Sequence, residues 1–321
     1  MKAASVLVTG GRGFIGRRLV RSLMEDGEAV RVLTRGQPLS EGEVQGDLAD
    51  PSALAAACAG VATVFHCAGH AHAFKGLKAA DDARHLAVNL EGTRQLVDAA
   101  ARAGVRRLIF LSSVKAMGEP GDACVDETWA LPPDSAYGRA KRAAEDVVLE
   151  AGAQHGMQVT NLRLAMVYGA GGRGNLERMA ALVRRGWFPP LPESGNRRSL
   201  VHVSDVVSAM RAVAGDPRAD GRTYIVADPQ PVSGRGLYDA LRAVLGMPML
   251  EWAVPPRVLV GFARAGDVLE AVSGRRLPFD SEVLDRLLGS ACYLPTRIEQ
   301  ELGWRAAVGL IAGLREMLNT H

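Results

Sequence analysis

Between Ser5 and Leu164 the chain alternates short apolar runs with longer amphipathic stretches, and this alternation narrows the folds open to it. Ser5 to Thr9, Ala29 to Thr34, Ala62 to His66, Arg107 to Ser112 and Val159 to Leu164 read as strands. Between them lie helical segments. Gly13 to Gly27 carries Ile15, Leu19 and Leu23 at four-residue spacing, and Pro51 to Gly60 opens with proline and closes with glycine. Ala83 to Gly104, with Leu86, Leu90 and Val97 on one face, and Ser135 to Gly156 are longer. Strands separated by such helices pair in parallel through right-handed crossovers, with helices on both faces. The expected class is α/β, a doubly wound parallel sheet whose ligands bind at the carboxyl ends of the strands.

The first strand runs into TGGRGFIG, Thr9 to Gly16, and then into the first helix. Gly10, Gly13 and Gly16 form a GxxGxxG variant of the dinucleotide fingerprint of Rossmann-type sheets. Its demands are a tight turn, a backbone that approaches pyrophosphate closely, and helix N–H groups facing that anion. Phe14 and Ile15 complete the turn. The second strand ends Val32-Leu33-Thr34-Arg35, with no acidic residue to take both ribose hydroxyls of NAD. Arg35, with Arg12 of the glycine turn, suits a 2′-phosphate, which favours NADP(H) within NAD(P); Arg35 as a solvated loop cation is the alternative. Asp47, followed by Leu48, stands where a carboxylate can accept the adenine amino group or cap the local turn.

After Arg163 the pattern becomes irregular, with glycines from Gly169 to Gly174 and Pro189, Pro190 and Pro192. A helix from Ser204 to Ala214 and a strand from Thr223 to Ala227 are expected to rejoin the sheet. The expected division is a dinucleotide-binding domain over 1–165, rejoined by about 200–227, and a smaller, mostly helical substrate lobe over 166–321. Its 321 residues suit one large α/β domain with such a lobe. A formal charge of +3 excludes a nucleic-acid binder driven by global charge but allows a local basic pocket. No apolar run reaches the roughly 18 residues of a membrane helix. The Val6-Leu7-Val8 run is too early and too short for a leader. A cytoplasmic protein is expected. Cys58, Cys67, Cys124 and Cys292 show neither CxxC pairing nor metal-ligand spacing, so buried reduced thiols and no metal site are expected.

Tyr137-Gly-Arg-Ala-Lys141 sets a phenol and an ammonium four apart on one helix face. A tyrosine acting as general acid/base near neutral pH must come down from about 10. An ammonium one turn away, together with an oxidised nicotinamide, favours the phenolate. Ser113 ends the fourth strand, on the sheet edge that carries the glycine turn, where its hydroxyl can hydrogen-bond a reacting oxygen.

TGGRGFIG, Ser112 to Gly118 (SSVKAMG), YGRAK and Leu162 to Gly169 (LRLAMVYG) resemble the extended short-chain dehydrogenase/reductases over nearly the whole chain. That family holds UDP-glucose 4-epimerase and the nucleotide-sugar dehydratases and reductases. The resemblance implies a triad of Ser113, Tyr137 and Lys141, with Tyr137 and Lys141 also touching the cofactor. It implies a cofactor groove lined by Cys67 and Ala68 as well as by Gly10, Gly13, Phe14, Ile15, Gly16, Arg35, Asp47 and Leu48. Asn89 either supports Lys141 or is a polar helix-surface residue. Asn175 resembles the asparagine that binds the nucleotide, and Arg198 the arginine that takes the diphosphate, with Arg197 competing for that role. Glu301-Leu-Gly-Trp304 and a final helix match the family's usual ending. The resemblance also implies a homodimer through a four-helix contact of the two long helices; their alanines, Ala99, Ala100, Ala143 and Ala144, equally suit packing within one chain.

Departures sharpen the expectation. Val114 and Lys115 stand where 4,6-dehydratases carry Asp-Glu, and Met166 where epimerases often carry Asn. SSVK, His70-Ala-His72 and NRRSLV look most like the bacterial polysaccharide branch that holds UDP-N-acetylquinovosamine dehydrogenase, a 4-keto-sugar reductase. The expected reaction is reduction of a 4-keto nucleotide sugar. The alternatives are 4-epimerisation, NADPH-dependent reduction of a non-sugar ketone or aldehyde such as a sterol, and a catalytically inert nucleotide sensor.

Overall fold

The computed structural model describes residues 5–70, 78–172, 174–273 and 281–319. The first half runs β1 (Val6–Thr9), α1 (Phe14–Glu25), β2 (Val30–Thr34), β3 (Glu43–Gln45), α2 (Pro51–Cys58), β4 (Thr63–His66), α3 (Lys78–His85), α4 (Gly92–Arg102), β5 (Arg107–Ser113), the two-residue β6 (Cys124–Val125), α5 (Ala136–His155) and β7 (Gln158–Leu164). The second half runs β8 (Met166–Tyr168), α6 (Asn175–Arg184), β9 (Leu200–His202), α7 (Val203–Gly215), β10 (Arg222–Val226), α8 (Gly234–Val244), α9 (Pro256–Ser273), α10 (Ser281–Leu288), β11 (Cys292–Tyr293), α11 (Thr296–Leu302) and α12 (Leu310–Leu318).

Seven strands form one parallel sheet in the order β10-β7-β5-β4-β1-β2-β3. The two-residue period of a strand sends alternate side chains to opposite layers. Val6 and Val8 of β1 join Leu19 and Leu23 of α1 and Val206 and Met210 of α7 on one face. Leu7 joins Leu54 of α2, Leu96 of α4 and Val148 of α5 on the other. This is the doubly wound arrangement the sequence implies. A third apolar core, with Leu176, Leu237, Leu241, Leu259 and Leu314, is built by α6, α8, α9 and α12. β10 pairs with β7 on the sheet edge, and the Glu127 carboxylate accepts its outward Ile225 N–H at 2.7 Å. That bond blunts an edge open to further pairing.

Two elements depart from expectation. β3 holds a single apolar residue, Val44, in three, and so has no period to read. The long helix expected over Ala83 to Gly104 is divided by a π-helical turn, Leu86–Glu91, between α3 and α4. The Gly92 N–H reaches back five residues to the Ala87 carbonyl, and the Thr93 hydroxyl donates to the Asn89 carbonyl at 2.7 Å.

The cysteine expectation is corrected. Cys124 and Cys292 form a disulfide, with Cα atoms 4.5 Å apart on the paired strands β6 and β11. The partners lie 168 residues apart, so no local spacing announces them. Cys58 and Cys67 are free thiols, and burial pushes them up to about 11 and about 12.

Candidate active site

At the carboxyl end of β1 the chain reverses through Gly10, whose φ of +69° lies in the left-handed region. A Cβ on Gly10 would stand 2.7 Å from the Ala68 nitrogen, and one on Gly16 would stand 2.2 Å from the Gly10 oxygen. Glycine is required at Gly10 by contact and by conformation, and at Gly16 by contact alone. The Gly13 N–H donates to the Gly10 carbonyl at 2.8 Å and closes the turn. α1 has no side-chain cap at Gly13, whereas Asp50 caps α2 and Ser135 caps α5. Its first N–H groups therefore face outward without a side-chain acceptor, which suits an anionic pyrophosphate. Phe14 and Ile15 are half-buried at the start of this helix.

Behind the turn, the buried His66 ring ties three elements together, with Nδ1 2.7 Å from Thr9 Oγ1 and Nε2 2.9 Å from Thr93 Oγ1. Burial, and then the nearby Lys141 charge, push it down to about 3, so the ring is neutral. Cys67 and Ala68 follow it, pressed against Gly10.

At the end of β2 the two arginines expected to share a phosphate part ways. Arg35 is exposed. Arg12 lies over Gly36, donates from Nη2 to the Gln37 carbonyl at 2.6 Å, and grips Glu43 through Nε at 3.0 Å and Nη2 at 2.6 Å. The guanidinium, with the Leu39 N–H, pulls the Glu43 carboxyl down to about 2. Asp47 accepts the Ala49 N–H at 3.0 Å, the local turn bond. Leu48 is buried against Gly92 and serves the core beneath α4.

Ser113 and Tyr137 meet where β5 ends and α5 begins. The Ser135 hydroxyl accepts the Gly138 N–H at 3.1 Å and starts α5, which sets Tyr137 in its first turn. Ser113 Oγ accepts the Lys115 N–H at 3.2 Å and hydrogen-bonds the Tyr137 phenol. Burial pushes that phenol above its ordinary value, and the Ser113 bond offsets part of the rise. Lys141 Nζ donates to the Leu111 carbonyl at 2.7 Å and lies 4.5 Å over the Phe110 ring.

Asn89 is buried, not a helix-surface residue. Its amide accepts the His70 N–H and donates to the His70 carbonyl, both at 2.8 Å. A Cβ on Gly69 would lie 3.1 Å from Asn89 Oδ1 and 3.4 Å from Lys141 Nζ, so the two side chains flank the same glycine. Ala71 and His72 lie outside the described residues.

The lobe candidates make contacts of their own. Asn175 is exposed at the first position of α6. Arg198 is half-buried. Its backbone exchanges bonds with Val232, and its Nη1 donates to the Gly289 carbonyl at 3.0 Å. Arg197 reaches the Asp122 carbonyl at 2.6 Å. Trp304, behind the left-handed Gly303, is buried with Nε1 2.9 Å from Ser208 Oγ, and α12 follows. Ala99, Ala100 and Ala144 are buried in the chain's own core.

Sequence reading missed His85, whose ring meets Tyr137 edge-on at 5.4 Å, and the buried group Ser112, Glu145 and Arg163. Glu145 stands four residues beyond Lys141, a spacing that could have exposed it.

Residues 6–227 match the model of the NAD dependent epimerase/dehydratase family. The chain belongs to that family. UDP-glucose 4-epimerase of Vibrio cholerae is 29% identical over 97% of this chain and 94% of its own. Sterol demethylase protein B of Methylococcus capsulatus is 33% identical over 83% and 82%. Among solved structures, MoeE5 in complex with UDP-glucose and NAD superposes with a TM-score of 0.73, at 26% identity over 98% of each chain. The protein is thus an enzyme of a family built around NAD(P). Among the described residues no helix is long and apolar enough to cross a membrane.

Proposed function

We propose that this enzyme is a nucleotide-sugar oxidoreductase acting at C4, and that its net reaction reduces a 4-keto sugar with NADP(H). The supporting observation is the hydrogen-bonded Ser113–Tyr137 pair at the sheet edge that bears the glycine turn, one helical turn from Lys141. Gly10, Gly13, Gly16 and the first N–H groups of α1 would hold the pyrophosphate, Arg35 the 2′-phosphate, and Cys67 and Ala68 the floor of the groove. The dinucleotide, when bound, supplies the hydride. Tyr137 Oη gives its proton to the carbonyl oxygen that becomes the C4 hydroxyl, and Ser113 holds that oxygen by a hydrogen bond. A phenol raised by burial keeps its proton, as a general acid must. Arg198 and Asn175 would take the diphosphate and the nucleotide. We place the enzyme in bacterial polysaccharide synthesis in the cytoplasm, as a homodimer joined through the outer faces of α4 and α5.

Purified protein is offered UDP-glucose, UDP-galactose and their N-acetyl forms without added cofactor, and separately a 4-keto UDP-sugar with NADPH. Oxidation of NADPH in the second assay alone is the expected result. Turnover in the first would make the enzyme a 4-epimerase.

The likeness to a sterol demethylase component gives a second reading, reduction of an apolar ketone. An Arg198→Ala variant with unchanged substrate affinity would favour it.

A further inference from the structure

Arginine supplies most of the basic charge of this chain, and lysine stands at only five positions, Lys2, Lys75, Lys78, Lys115 and Lys141. Lys141 is the one in the centre just described, and it is buried. Its neighbours on β4, β5 and the π-helical turn leave its charge poorly answered. The Leu111 carbonyl and the Phe110 ring are dipole and quadrupole partners. His66 on β4 is neutral, and Cys67 behind it keeps its proton. Asn89, from the π-helical turn, and Tyr137, from α5, are uncharged. A buried ammonium with no counter-charge gives up its proton.

The counter-charge comes from α5 itself. Tyr137, Lys141 and Glu145 recur at four-residue intervals and so share one helix face. The Glu145 carboxylate is buried and fully engaged. It accepts Ser112 Oγ at 2.5 Å, and Arg163 of β7 through Nε at 2.9 Å and Nη2 at 2.7 Å. The α5 backbone is tied to the same place, since Asn161 Nδ2 donates to the Glu145 carbonyl at 3.3 Å. Ser112 adjoins the catalytic Ser113, and Leu111, the acceptor of Lys141, is one residue further back. One carboxylate thus fixes the helix bearing Tyr137 and Lys141 against the strand bearing Ser113.

We infer that Glu145 is a positioning residue for the reaction centre, its carboxylate, braced by Ser112 and Arg163, serving as the counter-charge of the Lys141 ammonium. An ion pair that merely glued α5 to β7 could be replaced by apolar side chains of similar volume. A charge one turn from Lys141 has no apolar substitute. Burial pushes Lys141 down to about 8, and among the groups that oppose this Glu145 is the strongest.

The inference rests on the assignment of Lys141 and Tyr137 to the centre, and its test reads Lys141 without any substrate. Protein carrying ε-¹³C-lysine gives few enough lysine signals to follow by NMR, and Lys141→Arg identifies the one that matters. The wild-type signal is expected to titrate near 8. Glu145→Gln, an isosteric amide, lowers the midpoint by about one unit or more, because the charge is gone and Arg163 is left in place. Glu145→Gln/Arg163→Met removes both charges, spares the core an unpaired guanidinium, and still titrates below wild type. Glu145→Asp keeps the charge and returns the midpoint towards wild type. An unchanged midpoint in the double variant overturns the inference, as does a midpoint in Glu145→Asp no higher than in Glu145→Gln. In active protein the alkaline limb of kcat moves with the NMR midpoint while KM for the sugar stays put. A shifted midpoint in a protein inactive on every nucleotide sugar would sink the proposed substrate and leave Glu145 its role. An unmoved midpoint in a protein that reduces 4-keto sugars would do the reverse.

Discussion

Two arginine–glutamate pairs flank the centre of the sheet, and their chemistry is the same. Arg12–Glu43 spans the glycine turn and β3, with the arginine side chain 36% exposed. Arg163–Glu145 joins β7 to α5, with exposures of 6% and 2%. At the first pair, water reaches the arginine and screens the interaction in part, although Glu43 is only 13% exposed. At the second, every lone pair must be answered by protein, and Ser112 supplies an answer. The difference shows that burial, not the identity of the pair, decides whether such a contact is a surface detail or part of the framework holding Ser113 and Tyr137 together.

The comparison can be broken at either end. Tyr137→Phe, beside the buried pair, is expected to lower kcat by roughly 10²–10⁴-fold while NADPH binding stays the same. Wild-type kcat in that variant would remove the catalytic end from the argument. Arg163→Met leaves Glu145 buried and alone, and the expected loss is about 3–5 kcal/mol in urea denaturation. A negligible loss would mean that water reaches the pair after all. Arg35→Ala, at the nucleotide end, is expected to weaken NADPH about tenfold by titration calorimetry and leave NADH unaffected, since one charge-assisted contact is removed. Equal effects on both cofactors would show that Arg35 does not meet the 2′-phosphate. The smallest effect belongs to Glu43→Gln, which should lower the urea midpoint only slightly at neutral pH, since the pair is partly screened by water. By freeing Arg12 it should improve NADPH binding relative to NADH. The stabilisation that Glu43 does provide has a defined pH window: its folded carboxyl lies at about 2, below its ordinary value of 4.5, so the contribution is complete above 4.5 and lost as pH falls through about 2.

Features legible in the sequence carry their cause within a few residues. The turn needs glycine at Gly10 for its left-handed φ and at Gly16 because the Gly10 carbonyl lies against it. Pro51 starts α2 and Ser135 starts α5 for reasons confined to one helical turn. YGRAK places Tyr137 and Lys141 on one face wherever α5 lies. Features that escaped reading have partners far along the chain. Cys124 meets Cys292 across β6 and β11, and Arg12, read as a phosphate ligand, is taken by Glu43. Asn89 was open to two readings until the fold brought His70 against it.

By itself the sequence determined the alternating layers, the dinucleotide turn and the helix that presents phenol and ammonium together. All of these follow from local periodicity and backbone sterics, which do not depend on what lies across the sheet. Only the tertiary structure decided that Glu145 is braced by Ser112 and Arg163, that Tyr137 is held in a low-dielectric corner by Ser113, and that two of four cysteines pair. Each of these depends on burial and on a distance between separate elements, quantities that exist only once the chain has packed.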